Sequence, residues 1–382
     1  MTIPDGRKPH ESNEPRREAG EPRAELASGL SDRQAMVLRA LVSAYVGQAG
    51  PVGSKTLTHL TPTRLSAASI RNTLAQLHEM GLIEKAHASA GRAPTALGLQ
   101  VFVDELLDVS DLGPHERRVL DRALVGVDAA ETPRQASHLL SEYTRQLGFV
   151  VAPRVERLRL RSLHLLRVGA EQVLAVLVTE NGGLIQRTIS QSDPPGAREL
   201  EQIGAILAER VRGRTLVGLR ALLESERQAL RGEADALMRR AWTLGLGACD
   251  GASGTSTEDL VIATRITLLD QPEFADPERI RGLFAALETN ARLLDLLRQI
   301  DVSEATGTEG RAGRVGLALS LGEELGEPAL RDCALIAVPY GTPRPRESLG
   351  VLGVIGPQRM DYGRVIPLVR YCSELVTRKL LA

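Results

Sequence analysis

Cysteine is scarce: Cys249, Cys333 and Cys372 are the only three in a chain of 382 residues. They are odd in number, far apart and never in C-x-x-C spacing, which excludes a disulfide framework and a zinc knuckle. A reducing cytoplasm is the expected compartment. Charge of one sign is missing as well, since 47 Lys and Arg face 48 Asp and Glu for a net charge of -1. No general basic field therefore draws nucleic acid, and any such role must rest on a local cluster. Long apolar runs are also absent. None approaches the roughly 18 residues of a membrane span, and the charged N-terminus lacks the hydrophobic region of a signal peptide. What is present is a 43% hydrophobic fraction, enough for packed cores, in a chain long enough for two or three of them.

Residues 1 to 29 mix Pro, Gly, Glu and Arg with almost no large apolar side chain, so a disordered tail is expected there. The character changes at Leu30. LSDRQAMVLRALVSAYVGQ sets Ser31 and Gln34 in capping-box spacing ahead of Val37, Leu38, Leu41, Val42 and Tyr45 on one helical face. GPVGSKTLTHL predicts a short second helix with Ser54 as its cap, ended by the TPT turn. A third helix runs from an N-cap at Ser66 to Gly81, which takes the left-handed C′ position with Leu82 packing back on Leu77. The strand LIEKA, a polar return segment and a helix capped by Thr95 follow. Helix, helix, helix, hairpin is the order of a winged helix-turn-helix.

Beyond it, 112 to 148 reads as helical. RSLHLLRV, QVLAVLVT and LIQRTI then read as strands, the last two joined at Asn181-Gly182-Gly183. Helix returns from 198 to 243, a strand is expected within 258 to 269, and a long amphipathic helix runs over DPERIRGLFAALETNARLLDLLRQ. Three more strands, VGLALS, CALIAVPY and GVLGVIG, precede a final helix from about 363. The pattern predicts that strands before 190 and after 313 share one sheet, with a mostly helical stretch inserted between them. Glycine-rich links are expected at 245 to 254 and 305 to 313.

The third helix carries the chemistry. Ile70, Leu74, Leu77 and Met80 form its apolar stripe. The polar face is assigned Ser66, Ser69, Asn72, Thr73 and Gln76, with Arg71 beside it; Asn and Gln suit adenine, Arg suits guanine or phosphate, and Thr suits a thymine methyl. Ser69, Asn72, Thr73 and Gln76 are the expected base readers. Lys55, Arg64, Arg71, Lys85 and Arg92 are the expected phosphate contacts, with His87 beside phosphate or sugar. Such a stripe on an isolated helix is most often a solvated face; the hairpin behind it is what favours DNA.

Other motifs fail on spacing. GPVGSKTL has Ser between Gly53 and Lys55 and is no P-loop, and neither His78-Glu79 nor His115-Glu116 completes H-E-x-x-H. Gly350, Gly353 and Gly356 do not make a dinucleotide fingerprint and suit a core strand leading to a terminal helix. No G-x-S-x-G elbow occurs. No enzymatic site, metal or cofactor is expected.

PVGSKTL (51 to 57), SIRNTLAQLHEMGLIEKAHASAGRAPT (69 to 95), LLDQPEFAD (268 to 276), VPYG (338 to 341) and GVLGVIGPQRMDYGRVIPLV (350 to 369) together resemble the HrcA family of bacterial heat-inducible transcription repressors. The resemblance departs at Thr73, where the family has an acidic residue, and at Gly98, Leu99 and Gln100, where it has a G-Y-R-like stretch. It implies an α+β multidomain fold: a winged-helix DNA-binding domain over 30–108, and a GAF-like α/β domain in two parts, 109–197 and 305–382. A mostly helical dimerisation domain, 198–304, is inserted between those parts. The implied function is repression of chaperone operons by a homodimer on an inverted-repeat operator in double-stranded DNA, released on heat stress, with a chaperonin as a further partner. A GAF-like regulator that responds to a small molecule is the alternative.

Overall fold

A computed structural model describes residues 29–48, 50–61, 65–86, 91–129, 131–151, 157–180, 182–229, 236–250, 260–263, 274, 276–289, 297, 316–341 and 348–381. The expected tail and the link at 305–313 lie outside the described residues, apart from residue 29. The chain divides into two compact units, one of residues 1–44 with 51–106 and one of 45–50 with 107–382.

In the first unit, α1 (Asp32–Gln48) opens on the expected capping box. Gln34 N–H donates to Ser31 Oγ at 3.4 Å, and Ser31 N–H donates to Gln34 Oε1 at 2.9 Å, which satisfies two donors the helix itself leaves free. In α2 (Ser54–Leu60) the cap is Gly53 rather than Ser54, so no side chain closes that end. Helix α3 (Ala67–Glu79) is capped by Ser66 Oγ, which accepts from Ser69 N–H at 3.1 Å. It ends as the sequence predicts. Gly81 has φ of 72°, Leu82 N–H donates to Leu77 O at 3.0 Å and Gly81 N–H to His78 O at 3.0 Å, the paired bonds of a Schellman motif. Strands β1 (Ile83–Lys85) and β2 (Arg92–Pro94) form an antiparallel hairpin, and Val52 adds a bridge to Arg92. Thr95 caps α4 (Ala96–Val101), whose last turn loosens into a π-helical segment over Phe102–Leu106. Leu38, Leu41, Leu57, Ile70, Leu77, Leu82, Ile83 and Leu99 are its buried core.

Gly98 is a geometric necessity here, because a Cβ at that position would collide with the Leu82 carbonyl. Gly98→Ala should therefore destabilise this unit by about 1–3 kcal/mol through forced backbone movement. Thermal denaturation checks it, and an unchanged melting temperature would refute the close approach.

The second unit contains two sheets. After α5 (Pro114–Ala123) and α6 (Thr132–Thr144), the chain enters β3 (Leu147–Val151). Strands β4 (Leu160–Arg167), β5 (Gln172–Thr179) and β6 (Leu184–Ser190) form a meander with its own core, completed by α7 (Ala197–Val211), α8 (Leu216–Ala229) and α9 (Ala236–Cys249). The chain then returns to the first sheet through β7 (Leu260–Ile262), α10 (Pro277–Thr289), β8 (Ala318–Leu321), β9 (Cys333–Tyr340), β10 (Gly350–Pro357) and α11 (Tyr362–Leu381). That sheet is antiparallel throughout, in the order β7-β3-β10-β9-β8.

This corrects the expected sharing of one sheet. Among the described residues the 160–190 strands form a sheet of their own, and the strand before 190 that joins the C-terminal strands is β3, which begins in the last two residues of the stretch expected as helix and runs beyond it. The two sheets differ in burial: β5 alternates buried and half-buried positions, whereas β9 and β10 are nearly continuous buried runs. In β10, a Cβ at 353 would collide with the Ile336 carbonyl and one at 350 would lie 2.6 Å from Tyr340 Oη, so these glycines make room for the backbone and an aromatic ring of β9. Tyr340 Oη in turn donates to Val151 O at 2.6 Å.

Trp242, the chain's only tryptophan, shares one buried cluster with Leu207, Leu219, Leu223 and Leu177. The Arg210 guanidinium lies 4.7 Å from the indole centroid and its Nε donates to Glu226 at 2.8 Å. The expected link at 245–254 is helical through Cys249; a Cβ at Gly245 would sit 2.7 Å from Leu223 Cδ1, so this glycine lets α9 approach α8 closely. Residues 251–254 lie outside the described residues. All three cysteines are buried, and burial pushes their thiols up to about 12, so they stay neutral and inert. No helix among the described residues is long and apolar enough to cross a membrane.

Candidate nucleic-acid interface

Helix α3 sorts its side chains into four lines. Ile70, Thr73, Leu74 and Leu77 are buried against the unit's core. Thr73 is only 2% exposed and its hydroxyl donates to Ser69 O at 3.0 Å, so it is not a base reader, contrary to the expectation. Three residues after Ile70 and four before Leu77, it stands on the inward line whatever its polarity. Opposite that line, Ala68, Asn72, Ala75 and Glu79 form an exposed crest at spacings of four, three and four. One flank carries Ser69 and Gln76; the latter's Oε1 accepts from Gln34 of α1 at 3.3 Å. The other carries Arg71 and His78, and His78 Nδ1 meets the Ile83 carbonyl of β1 at 2.8 Å. So Arg71 is exposed on the hairpin side and Gln76 is exposed on the α1 side.

The hairpin end concentrates positive charge. Leu82 accepts from Thr95 N–H at 3.1 Å and Gly91 from Ala86 N–H at 3.4 Å, so by alternation Lys85 and Arg92 form a non-hydrogen-bonded pair. Side chains in such pairs stand closest, and two like charges there repel. Neither has an ion-pair partner among the described residues. Arg92, an expected phosphate contact, is tied into the hairpin. It is half-buried, its backbone exchanges both bonds with Val52 at 2.8 and 2.9 Å, and its Nε is enclosed without a hydrogen-bond partner. Gly91 serves the protein rather than an incoming ligand, since a Cβ there would lie 2.8 Å from Pro51 Cβ.

Lys55 is exposed in the first turn of α2, and Ser66 is exposed with its oxygen engaged in the cap. Arg64 and His87 lie outside the described residues. Sequence reasoning missed Ala68, Ala75, Glu79 and the bond of His78. The first three were legible as the helical neighbours of Asn72; the fourth depends on a carbonyl that only the hairpin places. No group of three or more metal-ligating side chains occurs among the described residues.

Residues 131–366 match the family of the HrcA protein C-terminal domain. The heat-inducible transcription repressor HrcA of Nitratidesulfovibrio vulgaris (strain DP4) is 36% identical over 355 residues, covering 92% of this chain and 98% of that protein. Those of Bradyrhizobium diazoefficiens and Sorangium cellulosum are 35% and 37% identical, covering 94% and 91% of this chain and 96% and 97% of theirs. A crystal structure of a hypothetical protein shares the fold with a TM-score of 0.54 at 22% identity, over 92% of this chain and 98% of its own. The molecule is thus a mixed α/β regulator of transcription and not an enzyme. The chain belongs to the HrcA family of heat-inducible transcription repressors.

Proposed function

We propose that the first unit acts as a winged helix-turn-helix, with α3 in the major groove and the β1–β2 hairpin on the adjacent backbone. The observation that carries this reading is the Lys85–Arg92 pair, two cations opposed across a hairpin with no acid between them, which a phosphate would relieve. On the crest, Asn72 pairs with an adenine edge while the methyls of Ala68 and Ala75 allow close approach and contact thymine methyls. Arg71, Lys55, Arg64 and His87 extend the phosphate track, and Ser66, Ser69 and Gln76 line the groove on the α1 side. Asn72→Ala should cost about 1–3 kcal/mol at one base pair and relax preference there, leaving the salt slope unchanged. Binding to duplexes with single substitutions checks it; a uniform loss across all duplexes would move Asn72 to the backbone contacts.

The five-stranded sheet is the GAF-like domain in this reading, and the inserted dimerising domain, expected at 198–304, is instead taken as the module from Arg157 to Asp250. Support comes from the outer face of β4–β6. Leu166, Val168 and Leu184 are more than half exposed, and Leu174, Val176 and Val178 lie between them, with Leu166 opposite Leu174 and Val178 opposite Leu184. Among the described residues, the helices α7, α8 and α9 pack on the other face. A second copy related by a two-fold axis would bury this apolar surface and present two α3 helices to an inverted-repeat operator. Warming then releases the operator by opening the dimerising or GAF-like domain before the DNA-binding unit. A chaperonin partner rests on the family resemblance alone. For the small-molecule alternative, the sheet that would hold a ligand is packed on one face by Leu283, Ala286 and Phe274, with α6 and α11 against it.

A further inference from the structure

The turn from α3 into the hairpin exposes three successive carbonyls, and each has its own donor. Gly81 O accepts from Thr95 Oγ1 at 2.7 Å, Leu82 O from Thr95 N–H at 3.1 Å, and Ile83 O from His78 Nδ1 at 2.8 Å. The third is the unusual one. Ile83 faces Pro94 as a non-hydrogen-bonded pair, so its carbonyl points off the free edge of β1, where no ladder partner reaches it. Only an outside donor satisfies it, and the imidazole supplies that donor from the last turn of α3. Because a carbonyl only accepts, Nδ1 carries the hydrogen.

The bond joins two elements with separate tasks. Its donor stands on the same flank of α3 as Arg71, and its acceptor lies two residues before Lys85, which opposes Arg92. Thr95 fixes the start of the turn from the α4 side; His78 fixes the first strand residue from the α3 side. We propose that His78 is a positioning residue that sets the hairpin's angle on the reading helix, so that Lys85 and Arg92 reach phosphate while α3 occupies the groove. This rests on the winged-helix reading above.

The test uses the full chain, and fluorescence anisotropy on a duplex carrying the inverted repeat upstream of its chaperone genes, over a series of salt concentrations. His78→Ala should weaken binding at least roughly tenfold and make the log–log salt slope shallower by about three to four, for the phosphate contacts of Lys85 and Arg92 in each of the two wings, with base preference unchanged. His78→Asn, whose amide nitrogen stands where Nδ1 does, should restore both values. A purely stabilising role predicts something different: a smaller active fraction with the wild-type slope. That result, or an Asn variant as weak as the Ala variant, overturns the proposal while leaving the DNA-binding reading intact. If the wild-type chain shows no preference for the repeat, both fall together.

Discussion

Trp242→Ala should destabilise the β4–β6 module by about 3–5 kcal/mol, the usual cost of truncating a large buried aromatic. The indole is 1% exposed at the centre of the cluster formed by α7, α8, α9 and the inner face of the meander. Its loss also removes the ring beneath Arg210, which would hold its pairing with Glu226 at 2.8 Å over a void. Since whole domains are stable by only about 5–15 kcal/mol, this is a large fraction of the total. Calorimetry should show one transition shifted down by more than about 10 °C, with the first unit's transition in place. Operator binding at growth temperature should fall with it, because dimer formation is assigned to this module. A shift of a degree or two would mean that the cluster does not fold as one cooperative core. In the wild type, Trp242 emission reports this module alone, which allows the order of opening on warming to be read directly.

In the proposed dimer, Val176→Asp should separate the two copies into monomers. Val176 occupies the middle of the outer face, between Leu174 and Val178 on β5 and beside His164 and Gln186 on the flanking strands. A carboxylate there costs little in a monomer, where the side chain is partly exposed, but would be buried unpaired between two copies. Sedimentation should show the change in mass. Operator affinity should drop by about 10²–10⁴, because two linked half-site contacts become independent ones. Melting of the isolated protomer should barely move. A variant that remains dimeric would place the interface elsewhere.

The helix ends were legible because their signals are local. Ser31 with Gln34, Ser66, Gly81 and Thr95 each act within a few residues, and all four make the expected bonds. Strand β3 was hidden for the converse reason. α6 ends on Arg145 in the left-handed region, φ 57°, without the glycine or proline that usually marks such a stop, and LGFVV then continues the apolar run. Sheet membership was illegible in kind: β3 pairs with residues some two hundred positions later, and alternation reveals a strand's faces but not its neighbours. At the interface, Thr73 was misplaced because residue type was weighed above helical position, and Ala68 and Ala75 were passed over because alanine signals neither core nor contact. No motif announces the enclosed Nε of Arg92 or the Val52 bridge on the same residue.

The central claim is that α3 and the hairpin form a sequence-reading DNA surface on a two-fold dimer. Titrating the full chain against the inverted-repeat duplex and against a scrambled duplex of equal length and composition tests it most directly. The account predicts two chains per duplex and a preference of at least about 10³ for the repeat, lost in part by Asn72→Ala. Equal affinity for both duplexes, or one chain per duplex at full affinity, would contradict it.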